Sequence, residues 1–223
     1  MKENKKLLIF DFDGTLIDSV PDLANSVNYT LNELNIKTYK EDIIRQWVGN
    51  GASTLIKRAL SGSVDISLEL DEDLYNKGLK IFLEYYSNHL CDNTVMYDNV
   101  KETLTTLKNQ GYILTIVTNK PYDFIKPILD KLDIEKLFSY YIGADSLSVK
   151  KPNPEPLLHI CNKFNISVDS SVMIGDSKND ILAANSANME SIGVTYGYNY
   201  DESIDKYKPS LIIDDFKKIL LNL

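Results

Sequence analysis

The sequence contains few of the side chains that form disulfide frameworks or zinc sites. It has two cysteines, Cys91 and Cys161, and two histidines among its 223 residues. The cysteines are distant from each other and show neither a C-x-x-C pattern nor a Cys/His ligand spacing. We therefore expect two free, partly buried thiols. The composition argues against a disulfide scaffold and against a zinc centre.

Long apolar runs and an excess of basic charge are missing as well. Only four consecutive apolar residues, at positions 7–10, precede Asp11, which is too few for a signal-peptide core or a membrane span. The formal net charge is −8, and this disfavours a broad surface for nucleic-acid phosphates. The expectation is a cytoplasmic protein that binds neither membranes nor nucleic acids.

The sequence does contain a series of short apolar runs that predict five or six strands. These runs lack the in/out alternation of a half-exposed strand, so helices should cover both faces of the sheet. Amphipathic segments between them predict those helices, and the alternation is typical of an α/β fold with a doubly wound parallel sheet. The predicted strands are 7–10, 113–117, 140–142, 172–174, 191–194 and 211–213, and the helices between them are 100–109, 124–132, 155–164 and 180–187.

The strand–helix alternation stops between residues 18 and 95. This stretch contains no convincing strand, and helical patterns fall at 22–34, 41–47, 52–60 and 71–89. An α-helical cap domain inserted after the first strand accounts for the pattern most simply. The predicted division is therefore a core of residues 1–17 and 96–223 and a cap of residues 18–95.

Two carboxylates follow the first predicted strand in the segment Asp11-Phe-Asp-Gly-Thr-Leu-Ile-Asp18. Side chains at positions i and i+2 of an extended chain project to the same side, so Asp11 and Asp13 can converge there. Gly14 permits a close approach of the backbone, and Thr15 can donate a hydrogen bond. Adjacent carboxylates at a buried strand end repel each other unless a cation or a proton stabilises them.

Three further polar clusters follow later strands. Thr118 and Asn119, in Val117-Thr-Asn-Lys120, are uncharged donors suited to phosphate oxygens. Lys151 precedes Pro152, which restricts the backbone before it and can aim the ammonium group. The segment Ile174-Gly-Asp-Ser-Lys-Asn-Asp180 places Asp176 and Asp180 four residues apart, a spacing that can put both carboxylates on one helix face.

All four clusters lie at the carboxyl ends of predicted strands, where open α/β sheets bind ligands. They combine carboxylates, neutral donors and one cation, which are the groups that phosphoryl transfer requires. Carboxylate and water oxygens suit Mg²⁺. The sequence thus indicates Mg²⁺-dependent chemistry on a small phosphorylated metabolite.

The segments DFDGTLID, VTN, KPNP and GDSKND resemble, in this order, the four motifs of the haloacid dehalogenase superfamily of phosphatases, over nearly the whole core. The resemblance implies a Rossmann-like core with an inserted cap, and a sheet order of 5-4-1-2-3 that places Thr118 and Asp176 on either side of Asp11. It also implies Asp11 as the nucleophile and Asp13 as the general acid/base. The implied phosphoryl-binding residues are Thr118 and Lys151, with help from Asn119, and the implied metal ligands are Asp11, Asp176, the main-chain carbonyl of Asp13 and, in support, Asp180.

Within the cap, the segments 47–52 (WVGNGA) and 56–60 (IKRAL) resemble phosphoglycolate phosphatases in particular. This implies 2-phosphoglycolate as the substrate, in a monomer or a homodimer. Two glycines in the first segment would let main-chain amides approach a small carboxylate. The nearby cations of the cap are Arg45, Lys57 and Arg58, and Arg58, in the second segment, is the preferred side chain for that carboxylate.

Several other functions fit part of the pattern. Relatives that remove halogens or cleave phosphonates lack the second aspartate of the first motif, so Asp13 argues against both, although Lys57 is a residue type that a phosphonate-cleaving cap needs. Sugar phosphomutases of the β-phosphoglucomutase type keep all four motifs, but they carry a cap arginine roughly where this sequence has Ala52. A phospho-accepting signalling receiver uses similar residues, yet its aspartate follows the third strand and it has no inserted cap.

Overall fold

The computed structural model describes residues 5–223, in which strands and helices alternate around one parallel sheet. The strands of this sheet are β1 (Leu7–Phe10), β4 (Ile113–Val117), β5 (Tyr140–Ile142), β6 (Ser171–Gly175), β7 (Glu190–Val194) and β8 (Leu211–Ile213); β2 (Ile17–Asp18) and β3 (Val95–Met96) form a separate pair. The order in the large sheet is β5-β4-β1-β6-β7-β8, and all of its pairings are parallel. The predicted α/β class and the predicted neighbours of the first strand are confirmed.

Alternate residues of the central strand enter two different hydrophobic cores. Leu8 and Phe10 pack with residues of α5 (Val100–Asn109) and α6 (Ile125–Lys131). Leu7 and Ile9 pack with residues of α7 (Glu155–Phe164) and α8 (Lys178–Ser186). Because successive side chains of a strand point to opposite faces, the four helices cover the sheet on both sides. The sheet is therefore doubly wound, as the runs without alternation predict.

Four helices lie between β2 and β3 in the chain and share a third core. They are α1 (Val20–Glu33), α2 (Glu41–Arg45), α3 (Ala52–Ser61) and α4 (Glu72–Asn88). Trp47 and Phe82 are buried at the centre of this core, and Phe124 and Tyr198 reach it from the segments that follow β4 and β7. The inserted helical unit therefore has its own core and rests on the edge of the sheet formed by the carboxyl ends of the strands. Its predicted limits, 18 and 95, stay a prediction.

The stretch assigned entirely to helices has short strands at both ends, which the sequence analysis missed. Ile17 pairs with Met96 and Asp18 with Val95 in the antiparallel pair of β2 and β3. Two-residue strands give too short a pattern for periodicity to detect. The pair joins the two chain segments that lead into and out of the helical unit.

Both cysteines are free, as expected, and both are buried rather than partly buried.

Asn188 follows α8 with a φ of 53°, a left-handed conformation that asparagine tolerates better than most residues. No helix among residues 5–223 combines the length and the apolar character that crossing a bilayer requires.

Candidate active site

The predicted carboxylates and donors come together because β4, β1 and β6 are adjacent and parallel. Asp11, Thr118 and Asp176 each directly follow one of these strands, so they emerge at the same edge of the sheet. Asp11 and Thr118 line one cavity together with Asp13, Asn119 and Lys120. These residues come from segments about a hundred positions apart in sequence, and the strand order alone makes them neighbours.

Three carboxylates form a buried acidic cluster beside this cavity. Ligand oxygens of Asp11, Asp176 and Asp180 all lie within 4.8 Å of one another. Burial, together with repulsion from Asp180, raises the pKa of Asp11 from 3.8 to about 7 against the opposing effect of Lys151. Burial and the charges of Asp180 and Asp11 also raise the pKa of Asp176 well above its ordinary value. The cluster therefore holds more negative charge than its surroundings neutralise, which is the condition that a bound cation relieves.

Lys151 is the cation closest to this cluster. Its ammonium nitrogen lies 2.6 Å from Oδ1 of Asp180 and 3.0 Å from Oδ1 of Asp11. The side chain is almost completely buried, so the two carboxylates fix its position. Although burial acts to lower it, the pKa of Lys151 is raised by the charges of Asp11 and Asp180. Lys151 therefore holds a positive charge in a fixed position next to Asp11, which lines the cavity.

Asp176 and Asp180 converge, although they do not share a helix face. Ser177 is the N-cap of α8, and its side chain and that of Asp180 form a reciprocal capping box. Asp176 therefore lies outside the helix, at the end of β6, where it accepts hydrogen bonds from Thr15 Oγ1 and from the amide of Tyr198, both at 2.7 Å. The sequence spacing of four was a correct guide to proximity, but the predicted geometry was wrong because serine is the better cap at this position.

Gly14 is required by the same contacts. It has a φ of 87°, and a Cβ atom there would lie 2.2 Å from Oδ2 of Asp176. A larger residue would strain the backbone and displace the carboxylate from its hydrogen bonds with Thr15 and Tyr198. Glycine therefore lets the loop after β1 lie directly on the acidic cluster.

The side chain of Asp13 points away from the acidic cluster. It lies 3.0 Å from the ammonium of Lys120 and accepts a 2.5 Å hydrogen bond from Ser19 Oγ. Its carboxylate is absent from the group of three that could hold a metal. Asp11 and Asp13 thus face different surroundings, which fits two different chemical tasks. A metal contact by the main-chain carbonyl of Asp13 stays a prediction.

Lys120 is a buried site residue to which the sequence analysis gave no role. It lines the cavity, donates a 2.6 Å hydrogen bond to the hydroxyl of Tyr86, and is 4% exposed. Burial opposes its charge, but Asp13 and Tyr86 raise the pKa of Lys120, so it remains an ammonium group. Burial likewise raises the pKa of Tyr86 to about 12, and its hydroxyl keeps its proton. The sequence feature that could have indicated a role for Lys120 is its position as the third polar residue after a strand, directly following Thr118 and Asn119.

The roof of the cavity comes from the inserted helices and is mostly apolar. Its side chains include Leu23, Val48, Leu55 and Phe82, and the cavity measures about 40 Å³. A water molecule needs roughly 10–15 Å³ of such space, so the cavity has room for a few waters. The inserted unit thus covers part of the site with apolar surface.

The glycine loop of the cap is held by side chains of the core. The carbonyl of Gly49 accepts hydrogen bonds from Asn119 and Asn179, both at 3.1 Å. The carbonyl of Asn50 accepts one from Lys150 at 2.7 Å. A Cβ atom on Gly51 would lie 2.7 Å from the main-chain oxygen of Asn119. The glycines thus allow close contact between the two parts of the protein, a different use from the predicted contact with a substrate carboxylate.

Two predicted substrate contacts have other partners in the structure. Arg58 is not among the residues that line the cavity; it donates to the main-chain carbonyls of Trp47 and Val64 at 2.7 and 2.9 Å. Asn119 uses both amide hydrogens on the carbonyls of Gly49 and Lys151, which leaves only its buried Oδ1 without a partner among the described residues. The structure therefore brings Asn119 to the cavity as a link to the cap, and it does not bring Arg58 there.

Comparison with known proteins agrees with this fold. The family model for haloacid dehalogenase-like hydrolases matches residues 8–194. The chain is 52% identical to a phosphoglycolate phosphatase of Colwellia psychrerythraea over 99% of its length and 98% of the relative's. It is 47% identical to one of Psychrobacter arcticus, with 97% and 95% of the two chains covered.

A solved structure gives the same result. A crystal structure described as that of a predicted phosphoglycolate phosphatase from Haemophilus somnus 129pt superimposes with a TM-score of 0.92, at 43% identity, over 99% of both chains. The match includes the inserted helices as well as the sheet. The fold, the order of the motifs and the full-length similarity together show that this chain belongs to the haloacid dehalogenase-like hydrolase family.

Proposed function

We propose that this protein is a Mg²⁺-dependent phosphatase that hydrolyses 2-phosphoglycolate through a phospho-aspartate on Asp11. One observation carries the chemistry: Asp11 lines a cavity while it contacts Lys151 at 3.0 Å and belongs to a buried cluster of three carboxylates. A nucleophile, a cation and a set of hard oxygen ligands thus meet at one point, as phosphoryl transfer requires. The similarity to phosphoglycolate phosphatases supports the choice of substrate.

The acidic cluster fits the proposed cofactor. Asp11, Asp176 and Asp180 offer only carboxylate oxygens, which suit Mg²⁺ better than zinc or copper. Lys151 supplies one positive charge against three carboxylates, so the cluster can accept further positive charge. Bound there, Mg²⁺ would supply the Lewis acidity that offsets negative charge on the phosphoryl oxygens.

The reaction follows from the positions of the chain's own groups. A carboxylate oxygen of Asp11 attacks phosphorus, the bond to the leaving oxygen breaks, and Asp13 gives its proton to that oxygen. Asp13 then takes a proton from a water molecule, whose oxygen attacks the phospho-aspartate and releases inorganic phosphate and free Asp11. Lys151 and the hydroxyl of Thr118 stabilise the charge on the transferred group. The apolar roof excludes other water while the intermediate exists.

Two alternative functions, a signalling receiver and a sugar phosphomutase, fit these findings less well. Membership of a hydrolase family contradicts the signalling receiver. A phosphomutase must hold a phosphorylated sugar, whereas the cap side chains that line the cavity are mainly apolar and offer few partners for sugar hydroxyls. The direct test is phosphate release from a panel of esters with Mg²⁺ present, including 2-phosphoglycolate, 2-hydroxyethyl phosphate and hexose phosphates. The proposal expects many turnovers and the highest kcat/KM on 2-phosphoglycolate; a preference for hexose phosphates would contradict it.

Asp13→Ala is expected to slow the first step most when the leaving group is poor. General acid catalysis contributes about 10²–10⁴-fold, and an alkoxide needs the donated proton far more than a nitrophenolate does. Single-turnover rates on 2-phosphoglycolate and on 4-nitrophenyl phosphate measure the difference. Ser19→Ala removes the hydroxyl that donates to Asp13 but keeps the carboxylate, so it should slow the first step less than Asp13→Ala does. Equal losses on both esters would mean that Asp13 is only structural.

A further inference from the structure

The cavity contains one pair of hydrogen-bonding groups that the proposed phosphoryl chemistry does not use. Lys120 follows β4 in the core, and Tyr86 lies on α4 of the inserted helices. The ammonium nitrogen and the hydroxyl oxygen are 2.6 Å apart, and both residues line the cavity that Asp11 and Asp13 also line. Among residues 5–223, the hydrogen bonds and ion pairs of Lys120 and Tyr86 include neither the acidic cluster nor Lys151, so the pair belongs to a different part of the site.

Both groups have hydrogen-bonding capacity to spare. A lysine ammonium has three N–H donors, but among residues 5–223 the hydrogen-bond partners of Lys120 are the carboxylate of Asp13 and the hydroxyl of Tyr86. The Tyr86 oxygen accepts from Lys120, and its own O–H donates to no described acceptor. Lys120 and Tyr86 are 4% and 1% exposed, so bulk water does not readily supply partners. Two adjacent buried donors are therefore directed to whatever occupies the cavity.

The surroundings decide what kind of group these donors suit. Among the described residues that line the cavity, Lys120 is the one cation. Lys151 and Arg58 do not line it. The remaining roof residues are mainly apolar and offer a polar ligand no side-chain partner. A positive donor beside a neutral donor matches the two oxygens of a carboxylate, and charge-assisted bonds of this type are the stronger ones.

We propose that Lys120 and Tyr86 form the subsite that binds the carboxylate of the leaving group, and that they determine the preference for an anionic ester. This rests on the proposed function and reassigns to Lys120 and Tyr86 the role that the sequence gave to Arg58. One donor belongs to the core and the other to the inserted helices, so a carboxylate bound by both ties the two parts together. Recognition of the leaving group is thereby coupled to enclosure of the site. A neutral ester of the same length can accept from these donors, but without the negative charge that strengthens the bonds.

The test compares two esters that differ only at the end distant from phosphorus. 2-Phosphoglycolate has a carboxylate where 2-hydroxyethyl phosphate has a CH₂OH group, and the measured quantity is the ratio of their kcat/KM values. Lys120→Met is expected to lower this ratio by about tenfold to a hundredfold, the range that loss of a charge-assisted hydrogen bond gives. Tyr86→Phe keeps the ring that packs on Phe82 and Phe124 and should lower the ratio by roughly tenfold.

The controls separate specificity from general damage. Lys120→Arg keeps the charge and should restore part of the ratio. Lys101→Met removes an exposed lysine that pairs with Asp133 far from the cavity, and it should leave the ratio unchanged. Arg58→Ala tests the residue that the sequence favoured. An unchanged ratio in Lys120→Met and Tyr86→Phe, or a ratio that falls only in Arg58→Ala, overturns the proposal.

A binding measurement distinguishes failure of the subsite from failure of the proposed function. In an Asp11→Asn background, calorimetry gives the Kd of each ester without turnover, with and without Lys120→Met. Tighter binding of 2-phosphoglycolate that disappears with Lys120→Met supports the subsite even if the wild type releases no phosphate. Turnover of many esters without preference for the carboxylate would leave a phosphatase but overturn both the substrate and the subsite. Equal binding of the two esters in the parent variant overturns the subsite.

Discussion

Asp11→Asn is expected to abolish phosphate release, with a fall in kcat of at least about 10⁴-fold, as loss of a nucleophile typically causes. The substitution replaces one carboxylate oxygen by an amide group of nearly the same size, so the cavity keeps its shape. It removes the oxygen that attacks phosphorus and with it the phospho-aspartate. The measurement is steady-state release from 2-phosphoglycolate in Mg²⁺, with circular dichroism to verify the fold.

The matched control is Asp133→Asn, the same change at an exposed residue paired with Lys101. Asp133 has a φ of 55°, a conformation that asparagine adopts readily, so this variant should retain full activity. Mass spectrometry of acid-quenched wild type should show a phosphate on the peptide that contains Asp11, and none in Asp11→Asn. Near wild-type turnover in a folded Asp11→Asn protein would rule out the nucleophile assignment.

Asp11→Asn is expected to increase the stability of the metal-free protein, although it abolishes activity. The pKa of Asp11 is raised from 3.8 to about 7 in the folded protein, mainly by burial and then by Asp180. A carboxyl group with a raised folded pKa costs no stability below its unfolded pKa and costs most above its folded pKa. Wild type should therefore lose stability relative to Asp11→Asn as the pH rises from about 4 to above 7. The difference should reach at most roughly 4 kcal/mol, at 1.36 kcal/mol per pKa unit.

Urea unfolding at pH 5 and pH 8 in chelator measures this difference directly. Asp11→Asn should be the more stable protein at pH 8, while the gap should shrink at pH 5. A gap that is the same at both pH values would show that Asp11 is not protonated preferentially in the folded state. The activity and stability results together separate a catalytic residue from one that merely maintains the fold, because a residue of the second kind would lower both.

The second large effect is expected on removal of the divalent cation. Exhaustive chelation should lower kcat/KM by about 10³-fold or more, since neutralisation of phosphoryl charge contributes several kcal/mol. Without a cation, a phosphate dianion would approach three buried carboxylates that have only Lys151 as a counter-charge. Readdition of Mg²⁺ should restore activity in full.

A second readout is independent of turnover. A cation that binds only the folded protein raises its stability by RT ln(1 + [L]/Kd), so Mg²⁺ should raise the Tm of wild type in a concentration-dependent manner. Asp176→Asn removes one ligand of the cluster and should reduce this shift, whereas Asp133→Asn should not. Full activity of a chelated sample in which elemental analysis detects no metal would contradict Mg²⁺ dependence.

Much of the fold followed from local sequence patterns. The runs at 7–10, 113–117, 140–142 and 211–213 match the observed strands residue for residue, and the helices at 100–109 and 155–164 do so as well. Strands β1 and β4 are almost entirely buried and the two helices are amphipathic, so their patterns are strong. The helix predicted at 180–187 begins two residues earlier, because Ser177 caps it. The pair of β2 and β3 is too short to leave a pattern.

The sequence by itself determined which side chains meet at the edge of the sheet. Asp11, Thr118 and Asp176 each follow a parallel strand, and parallel strands bring their carboxyl ends to one edge wherever they lie in the chain. What the sequence did not determine is where each side chain points within that edge. Lys120 pairs with Asp13 and Tyr86, and Arg58 binds main-chain carbonyls away from the cavity. These contacts depend on how the inserted helices pack on the sheet, a long-range arrangement that no local pattern of residues encodes.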